Sequence, residues 1–305
     1  MSFEDRLQQH VAAVEKALEE SLQYDAEADR MGCRDSRNAL NELYGSMRHA
    51  VLAGGKRLRP FLVLETAALF GVGYEQALPC ATALEMLHSY SLVHDDLPAM
   101  DDSDLRRGKP TVHKVWDDAT AILAGDGLLT EAFAVLAREE THPDPAVRIE
   151  LVAALSRGAG ALGMVGGQMI DLSDIRSELG LDGITHLQAL KTGALIAFSC
   201  EAGAILGRAT AEERRALRRY ADCIGLAFQV VDDLLDGDLS PEEAGKPTGV
   251  DDHMGKATFV GLLGRDQARQ KAADLVEEAK SSLDLFGAKA QTLRDVADFV
   301  LKRRS

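Results

Sequence analysis

The chain of 305 residues is long enough for one large domain or two ordinary ones, and 46% apolar and 27% charged residues are typical of a globular protein. A formal net charge of −15 argues against nucleic acid as a partner and against stable association with an anionic membrane. The sequence contains no run of about 18 apolar residues, the length that a membrane span needs. The charged N-terminus lacks the apolar core of a secretory signal. Four scattered cysteines predict reduced thiols in a cytoplasmic protein.

Helical periodicity runs through most of the chain, whereas alternating strand patterns are nearly absent. Apolar residues recur every three or four positions over residues 4–22 and again over 36–53. Pro60 and Pro79 fall near the starts of the next two apolar helices, and Pro98 should end the second of them. Further helices are predicted over 117–139, 146–170, 184–207, 211–236, 256–286 and 288–303.

The predicted fold is therefore all-α, a single domain over residues 1–305 with roughly ten or more helices. No stretch rich in proline, serine or glycine is long enough to separate two domains. Loops containing glycine and proline near 102–116 and 237–255 are the predicted functional segments. Three segments are apolar over most of their circumference, which is typical of buried helices: 75–96, 146–170 and 190–207.

Two aspartate clusters each follow an apolar helical segment. The first reads Asp-Asp-Leu-Pro-Ala-Met-Asp and the second reads Asp-Asp-Leu-Leu-Asp; they contain Asp95, Asp96 and Asp101, and Asp232, Asp233 and Asp236. Gln229 lies one turn before Asp232, so the second cluster continues a polar stripe on an otherwise apolar helix. Carboxylates in apolar surroundings repel one another and are costly to desolvate unless they are paired or bind a metal.

The composition of these clusters favours magnesium. Mg²⁺ prefers oxygen ligands and often takes one or two carboxylates together with phosphate oxygens. Neither cluster has the spacing of a calcium-binding EF-hand loop, and zinc would favour histidine or cysteine. For either cluster alone, helix capping or a solvated acidic face is an equal alternative. Two clusters in matching positions favour a Mg²⁺ site for a phosphorylated ligand.

Basic residues beside glycines supply the cations that an acidic protein needs if it binds an anion. Lys56 and Arg59 follow the glycine pair at 54–55, and Arg106 and Arg107 follow the first aspartate cluster. Arginine grips phosphate oxygens with a planar fork, whereas lysine acts as a point charge. These two groups are therefore the strongest anion-binding candidates.

Other cations are less specific. Arg57 and Lys109 are interpreted as surface or structural charges. For each of the isolated lysines Lys191, Lys246 and Lys256, taken alone, a surface charge is a better interpretation than anion binding.

These motifs resemble the trans-isoprenyl diphosphate synthases, most closely the bacterial-type short-chain farnesyl diphosphate synthases. The resemblance extends from residue 54 to about 264 and includes GGKRLRP, DDLPAMDD with RRGKPT, GDGLL, GGQMIDL, KTGALI, GLAFQVVDDLLD and GKPTGVDDHMGKATF. It implies the isoprenoid synthase fold, with helices around a central cavity, and a homodimer. It also implies head-to-tail condensation of isopentenyl diphosphate with dimethylallyl and then geranyl diphosphate.

The resemblance also implies roles for individual residues. Asp95 and Asp101 would bind Mg²⁺ on one side of the allylic diphosphate and Asp232 on the other, with roughly three ions per active site. Asp96, Asp233 and Asp236 would complete the catalytic motifs. Thr192 and Gln229 would lie beside the developing carbocation.

The remaining roles implied by the resemblance concern the two substrates. The allylic diphosphate would contact Arg106, Lys191 and Lys256, with Lys246 near the allylic group. The isopentenyl diphosphate would be held by Lys56, Arg59, His88 and Arg107. The C-terminal Lys302-Arg303-Arg304 either helps to close the isopentenyl site or forms a frayed basic tail at a helix C-terminus.

Product length depends on what lies below the first cluster. Tyr90 is five residues before Asp95, about 7.5 Å deeper along a helix axis. In the family, a bulky aromatic residue at this position stops growth near the fifteen-carbon product. Farnesyl diphosphate is therefore favoured over geranylgeranyl diphosphate, and the alternative is that Tyr90 only packs between helices.

Two rival functions share parts of this pattern. A class I terpene cyclase also has an all-α fold and a DDxxD motif, but it carries a different second motif. A non-catalytic prenyl synthase subunit would have degenerate aspartate motifs. Both motifs are complete here, which favours the synthase.

Overall fold

The computed structural model describes residues 2–25, 33–236 and 257–303. These residues form the helices α1 (Phe3–Ser21), α2 (Arg34–Val51), α3 (Leu58–Leu69), α4 (Tyr74–Asp95), α5 (Val112–Val115), α6 (Asp118–Ala137), α7 (Pro145–Ala159), α8 (Met164–Asp171), α9 (Leu181–Gln188), α10 (Ala194–Leu206), α11 (Ala211–Asp236), α12 (Phe259–Leu263), α13 (Arg265–Ser282) and α14 (Gln291–Lys302). The prediction of an all-α protein with ten or more helices is confirmed.

Other regular structure is short. Strands β1 (Leu105–Arg106) and β2 (Lys109–Pro110) form an antiparallel hairpin inside one of the predicted functional loops. A π-helical turn, Ala189–Gly193, joins α9 to α10. Two 3-10 helices cover Asp174–Glu178 and Asp284–Ala290.

The chain divides into two compact units. The first unit comprises Met1–Phe61 and Leu78–Thr141, and the second comprises Leu62–Ala77 and His142–Ser305. The single domain predicted over 1–305 stays a prediction. The first aspartate cluster belongs to the first unit and the second cluster to the second unit.

Glycines break two segments that periodicity predicts as continuous helices. The predicted helix over 146–170 is divided between α7 and α8, because the backbone at Gly160 is extended and a Cβ on Gly163 would lie 2.2 Å from the carbonyl oxygen of Gly158. The predicted helix over 256–286 breaks at Gly264, whose φ is 76°. The break at Gly264 uses a left-handed conformation that favours glycine, whereas the first break needs glycine because a side chain at Gly163 would clash with the backbone. By contrast, α11 matches its predicted bounds, 211–236.

Hydropathy and burial correct two expectations. Among the described residues, three helical stretches are long and apolar enough to cross a membrane by length and composition: Asp118–Ala137, Pro145–Asp171 and Leu181–Leu206. Of the last, 72% of the apolar window is buried inside the protein. The burial predicted for 146–170 is only partly correct, because Ile149, Leu162 and Met169 are 66%, 90% and 70% exposed.

The hydrophobic core of the second unit fixes the orientation of the helix that carries the second aspartate cluster. Val230, Val231 and Leu234 of α11 are buried together with Phe259 of α12 and residues of α9 and α13. Burying each of these side chains stabilises the fold by about 1.5–3 kcal/mol. Because the apolar face of α11 is held in this core, its polar stripe lies outside the core, and the aspartates of that stripe are only partly buried.

Candidate active site

In the first unit, the turn after α4 brings two aspartates together. Helix α4 ends at Asp95, three residues before Pro98, as predicted. The chain then folds back, so that the backbone N–H of Asp101 donates to the carbonyl oxygen of Asp95 at 2.9 Å. Asp95 is partly buried and Asp101 is exposed. The two predicted Mg²⁺ ligands of this cluster therefore lie at the same helix end.

Asp96 differs from its neighbour. Its side chain is buried, and Nε of Arg106 donates to its Oδ1 at 2.9 Å, while Nη2 of Arg106 donates to the same oxygen. Burial raises the pKa of Asp96, and the hydrogen bond from Arg106 offsets part of that rise. This pair joins the end of α4 to strand β1.

The hairpin carries Arg107 against the glycine pair at the end of α2. Arg107 has a φ of 53° and Gly108 a φ of 75°, which closes the turn between the strands. The guanidinium of Arg107 donates to the carbonyl oxygen of Gly54. A Cβ on Gly55 would lie 2.5 Å from Cζ of Arg107, so only glycine leaves room for this side chain.

Two further hydrogen bonds fix the hairpin. Nζ of Lys109 donates to the carbonyl oxygen of Leu52 at 3.0 Å, and Nε2 of His49 donates to that of Pro110 at 2.8 Å. Lys109, interpreted above as a surface or structural charge, therefore holds the hairpin against the residues that follow α2.

His88 lies among arginines. Nη1 of Arg59 lies 3.3 Å from Nε2 of the His88 ring. Burial lowers the pKa of His88 well below its usual value, and the charges of Arg59, Arg107, Arg57 and Arg106 lower it further. His88 is therefore neutral at pH 7, and its surroundings attract an anion. Lys56, on the same segment as Arg59, is exposed.

Arg57 is a structural charge. It is 3% exposed, and its guanidinium donates to carboxylates of Glu85 at 2.7 Å and Glu15 at 3.2 Å. Of the two roles left open by the sequence, the surface role is excluded. Arg57 orders the end of the segment between α2 and α3, next to Lys56 in that segment and Arg59 in the first turn of α3.

Tyr90 packs beneath the first cluster. Its ring lies 5.5 Å from that of His94 in an edge-to-face contact, and only 8% of the residue is exposed. Nε2 of His94 donates to the carbonyl oxygen of Ile122 at 3.0 Å, and a Cβ on Gly125 would lie 2.1 Å from that nitrogen. Helix α6 therefore holds His94, and His94 supports the ring of Tyr90.

In the second unit, Asp232 is paired with the C-terminal segment. Nη2 of Arg303 donates to Oδ1 of Asp232 and to the carbonyl oxygen of Phe228, each at 2.7 Å. The side chain of Arg303 is 4% exposed, and burial lowers its pKa while Asp232 raises it. Arg303 is thus neither a frayed residue nor a free cation.

The other polar residues of α11 have separate surroundings. Oδ2 of Asp233 accepts a hydrogen bond from the backbone N–H of Phe259 at 2.7 Å, so this carboxylate supports the start of α12. Gln229 and Asp236 are partly buried. Lys246 and Lys256 lie outside the described residues.

Lys191 and Thr192 belong to the π-helical turn, a local distortion often found at functional sites. Nζ of Lys191 donates to Oδ2 of Asp171 at 2.6 Å. Glycines allow close packing around this turn: a Cβ on Gly167 would lie 2.2 Å from the backbone nitrogen of Lys191. The GGQMIDL and KTGALI motifs therefore meet in space.

Comparison with known proteins identifies the family. The Polyprenyl synthetase family model matches residues 40–292. The chain belongs to the polyprenyl synthetase family.

Its relatives have several prenyl diphosphate products in their names. This polyprenyl synthetase is 44% identical to the farnesyl diphosphate synthase of Escherichia coli (strain K12), over 85% of this chain and 88% of the relative. It is also 44% identical to the chloroplastic geranylgeranyl pyrophosphate synthase of Capsicum annuum, over 86% of this chain and 71% of the relative. A crystal structure of an FPP/GFPP synthase from Zymomonas mobilis superposes with a TM-score of 0.85 at 44% identity, covering 98% of both chains. The predictions of family and of a prenyltransferase enzyme are confirmed.

The donor set of this synthetase suits Mg²⁺, on which the family depends. Among the described residues, no group of three or more histidines, cysteines, aspartates or glutamates is assembled to hold a metal. Mg²⁺ does not require one, because it commonly takes one or two carboxylates and completes its shell with water and phosphate oxygens. Each unit offers one or two such carboxylates: Asp95 and Asp101 in the first unit, and Asp232 in the second.

Sequence reasoning missed three partners in this synthetase. The sequence assigned no contact between Asp171 and Lys191, between Arg176 and Asp171, or between Arg303 and Asp232. One feature of the sequence could have drawn attention to Asp171: it is a lone carboxylate at the end of an apolar helical segment, where burial is costly unless a cation is near.

Proposed function

We propose that this polyprenyl synthetase condenses isopentenyl diphosphate with dimethylallyl and geranyl diphosphate to form farnesyl diphosphate and inorganic diphosphate. The observation that carries this proposal is the sequence of groups along α4: an acidic helix end at Asp95, a buried aromatic ring at Tyr90 and a neutral histidine among arginines at His88. An ion-binding end, a length limit and an anion site on one helix suit a short-chain synthase.

The allylic diphosphate is assigned to the acidic clusters and their cations. Asp95, Asp101 and Asp232 would hold Mg²⁺, which supplies Lewis-acid neutralisation of charge on the leaving diphosphate. Each unit has a cation near these carboxylates. Arg106 binds Asp96, the neighbour of Asp95, and Arg303 binds Asp232. The cations assigned to the allylic diphosphate are Arg106, Lys191 and Lys256. The prediction that both clusters serve one diphosphate, with about three ions, stays a prediction.

Asp96, Asp233 and Asp236 are proposed to support these carboxylates. The pairing of Asp96 with Arg106 favours a role in orienting that arginine. The hydrogen bond from Phe259 to Asp233 favours a role in holding α12 against the helix that carries Asp232. Thr192 and Gln229 are assigned to the developing carbocation, and Lys246 to the allylic group.

Isopentenyl diphosphate is assigned to the arginine-rich surroundings of His88. The residues proposed to hold it are Lys56, Arg59, His88 and Arg107. Arg57 forms ion pairs with Glu85 and Glu15, so it is not assigned to the diphosphate. His88 is neutral in these surroundings and therefore acts as a hydrogen-bonding group.

The chemistry needs no protein nucleophile. The carbon–oxygen bond of the allylic diphosphate breaks, and the double bond of isopentenyl diphosphate attacks the resulting cation. Loss of a proton then forms the new double bond, and the released diphosphate accepts that proton. The side chains around the site must exclude water, which would otherwise capture the carbocation.

A geranylgeranyl product is the alternative. Relatives named for both products have 44% identity to this chain, so identity alone does not favour either. The buried ring of Tyr90 supports the shorter product, because a bulky ring five residues before Asp95 would block the growth of a longer chain.

We further propose a single synthase domain over 1–305 that acts as a homodimer in the cytoplasm, without stable membrane association. Exposed apolar residues support subunit contact in each unit separately. They are Ile122 and Leu123 on α6, and Ile149, Val165 and Met169 on α7 and α8. Exposed apolar side chains that cluster on helices are typical of protein interfaces.

A product assay tests the proposed function. Purified protein is incubated with Mg²⁺, isopentenyl diphosphate and either dimethylallyl or geranyl diphosphate, and products are separated by chain length. The fifteen-carbon diphosphate is expected. Failure to elongate either starter would exclude the synthase and favour a non-catalytic subunit, and a cyclic hydrocarbon would favour the cyclase.

Matched variants test the acidic site. Asp232→Asn should lower kcat/KM at least about a hundredfold, because a metal ligand is lost while shape is kept. Asp222→Asn on the same helix removes an exposed carboxylate that pairs with Arg218 and should leave the rate nearly unchanged. Equal effects of the two substitutions would contradict the assignment.

A further inference from the structure

Tyr90 and His94 form a pair on one face of α4. They are four residues apart on the helix, so their side chains are neighbours on its surface. Helical side chains lean toward the N-terminus of their helix, so the imidazole of His94 leans over the turn that carries Tyr90. The ring centres are 5.5 Å apart and the ring planes stand at 89° to each other. This edge-to-face arrangement is one of those that aromatic rings prefer.

One ring nitrogen of His94 is fixed by α6. Nε2 donates to the backbone carbonyl oxygen of Ile122 at 3.0 Å. Because a carbonyl oxygen can only accept a hydrogen bond, this nitrogen carries the proton. A carbonyl oxygen has two lone pairs, so Ile122 accepts from His94 while α6 continues unbroken from Asp118 to Ala137. The imidazole therefore joins α6 to the ring of Tyr90.

Gly125 leaves the space that the imidazole occupies. It is buried within α6, and a Cβ built on it would lie 2.1 Å from Nε2 of His94 and 2.4 Å from Cδ2. A side chain at this position would push the imidazole out of its place. Glycine in the middle of a helix is destabilising relative to alanine, and the close approach of His94 gives a physical reason for glycine here.

Tyr90 lies close to the same part of α6. It is 8% exposed, and burial raises the pKa of its phenol, which the charges of Asp95 and Asp126 raise further. Asp126 follows Gly125 on α6. The phenol is therefore neutral and near both the first aspartate cluster and α6, and His94 contacts both the ring and α6.

We propose that His94 is a positioning residue for product length: anchored to Ile122 and seated against Gly125, it holds the Tyr90 ring in the path of the growing chain. The inference rests on the proposed function, in which Tyr90 stops growth at fifteen carbons. His94 acts through Tyr90 and does not itself contact the substrate. Product length then depends on the packing of α6 beside α4 as well as on the size of the Tyr90 ring.

Ring size and ring position make different predictions for His94→Ala. If only the size of the Tyr90 ring mattered, the product would stay at fifteen carbons, because the ring is still present. If its position matters, the ring turns into the space that the imidazole leaves, and longer chains can pass. Losing an edge-to-face contact should change the population of the held orientation about two- to tenfold.

The experiment separates products by chain length after incubation with Mg²⁺, isopentenyl diphosphate and geranyl diphosphate, at one substrate ratio and equal conversion. His94→Ala removes the imidazole, and Gly125→Ala displaces it. Each should raise the share of products longer than fifteen carbons about two- to tenfold. His94→Gln keeps a donor for Ile122 but loses the ring, so it should also lengthen the product and serves if the alanine variant does not fold.

Two matched controls separate this effect from a general change in the protein. Gly45→Ala also adds a methyl group within a helix, but no atom lies within 4 Å of it. His186→Ala removes an exposed imidazole from α9. Both variants should give the product of the wild type.

A double-mutant cycle tests whether the effect passes through Tyr90. In a Tyr90→Ala background, which should itself give longer products, His94→Ala should change the share of those products by less than about twofold. A fifteen-carbon or shorter product from His94→Ala or from Gly125→Ala would overturn the inference. So would lengthening of equal size with and without the Tyr90 ring.

Failure of the proposed function looks different. Wild-type protein would then elongate neither starter, or Tyr90→Ala would keep the fifteen-carbon product and remove the length limit on which the inference rests. If Tyr90→Ala lengthens the product and the variants at His94 and Gly125 do not, the proposed function stands and the role of His94 is excluded.

Discussion

The guanidinium of Arg303 donates to the carboxylate of Asp232 at 2.7 Å and lies 3.6 Å from the centre of the Phe228 ring. A residue at the end of α14 is thereby attached to the first aspartate of the second cluster. Contact with an aromatic face and a carboxylate suits a buried guanidinium. Because Asp232 is a proposed metal ligand, the same oxygen has two possible cationic partners.

Competition for Asp232 gives the first prediction. Arg303→Gln should lower the apparent Kd of Mg²⁺, measured by calorimetry with inorganic diphosphate present, about three- to tenfold, because the ion no longer displaces a charged hydrogen bond. The control is Arg219→Gln, on the same helix as Asp232, which removes an exposed arginine that pairs with Glu278 of α13. Unchanged or weaker Mg²⁺ binding in Arg303→Gln would show that the two cations do not compete.

The second prediction concerns the ring of Tyr90. Tyr90→Ala should shift the main product from fifteen carbons to longer chains and lower the free energy of unfolding by about 3 kcal/mol, because it creates a cavity beside His94. Product chromatography and denaturant unfolding measure the two effects. Tyr90→Phe keeps the ring and should keep the product length. An unchanged product from Tyr90→Ala would remove this residue from chain-length control.

Close packing at Gly55 gives the third prediction. Gly55→Ala should raise the KM of isopentenyl diphosphate about tenfold and cost about 1 kcal/mol of stability, since the new methyl group would occupy the place of the Arg107 guanidinium at a φ of 123°. Steady-state kinetics with each substrate varied in turn measure the effect. Gly45→Ala, within α2, meets no atom within 4 Å and should stabilise the helix without changing KM. A similar KM in both variants would contradict the role of Gly55.

The fourth prediction concerns pH and His88. Its folded-state pKa lies well below the usual value of 6.5, so the unfolded chain binds the proton more readily. The neutral ring therefore contributes stability above about pH 6.5 that is lost as the pH falls below this value, by up to about 1.4 kcal/mol per pH unit. Urea unfolding at several values between pH 5 and pH 7 measures this dependence of the free energy of unfolding on pH.

His88→Gln should flatten this dependence over the same range of pH. His186→Gln, at an exposed position on α9, should leave it unchanged. An identical slope in wild type and His88→Gln would mean that another group titrates.

The local structure around both aspartate clusters was predictable from the sequence, because motif spacing and helical periodicity are local properties. The break after Asp95 followed from Pro98, and the polar stripe on α11 followed from residues spaced three and four apart. Periodicity did not find the breaks near Gly160 and at Gly264, since an apolar pattern continues across a glycine that changes direction.

The sequence did not predict which side chains pair with one another. Asp95 and Asp96 are adjacent and look equivalent in the sequence, yet one lies partly exposed at the helix end and the other is buried against Arg106. The sequence named Lys191 as a diphosphate ligand and Arg303 as part of a basic C-terminal segment, but it did not predict their pairing with Asp171 and Asp232.

The sequence by itself determined that the chain is helical and that it has two acidic clusters with nearby cations. Helix period, turn residues and motif spacing act over a few neighbouring positions, so they are written directly in the order of residues. Only the tertiary structure decided which cation serves which carboxylate. Those pairings join residues far apart in the chain, and their strength depends on burial, which exists only after the helices have packed.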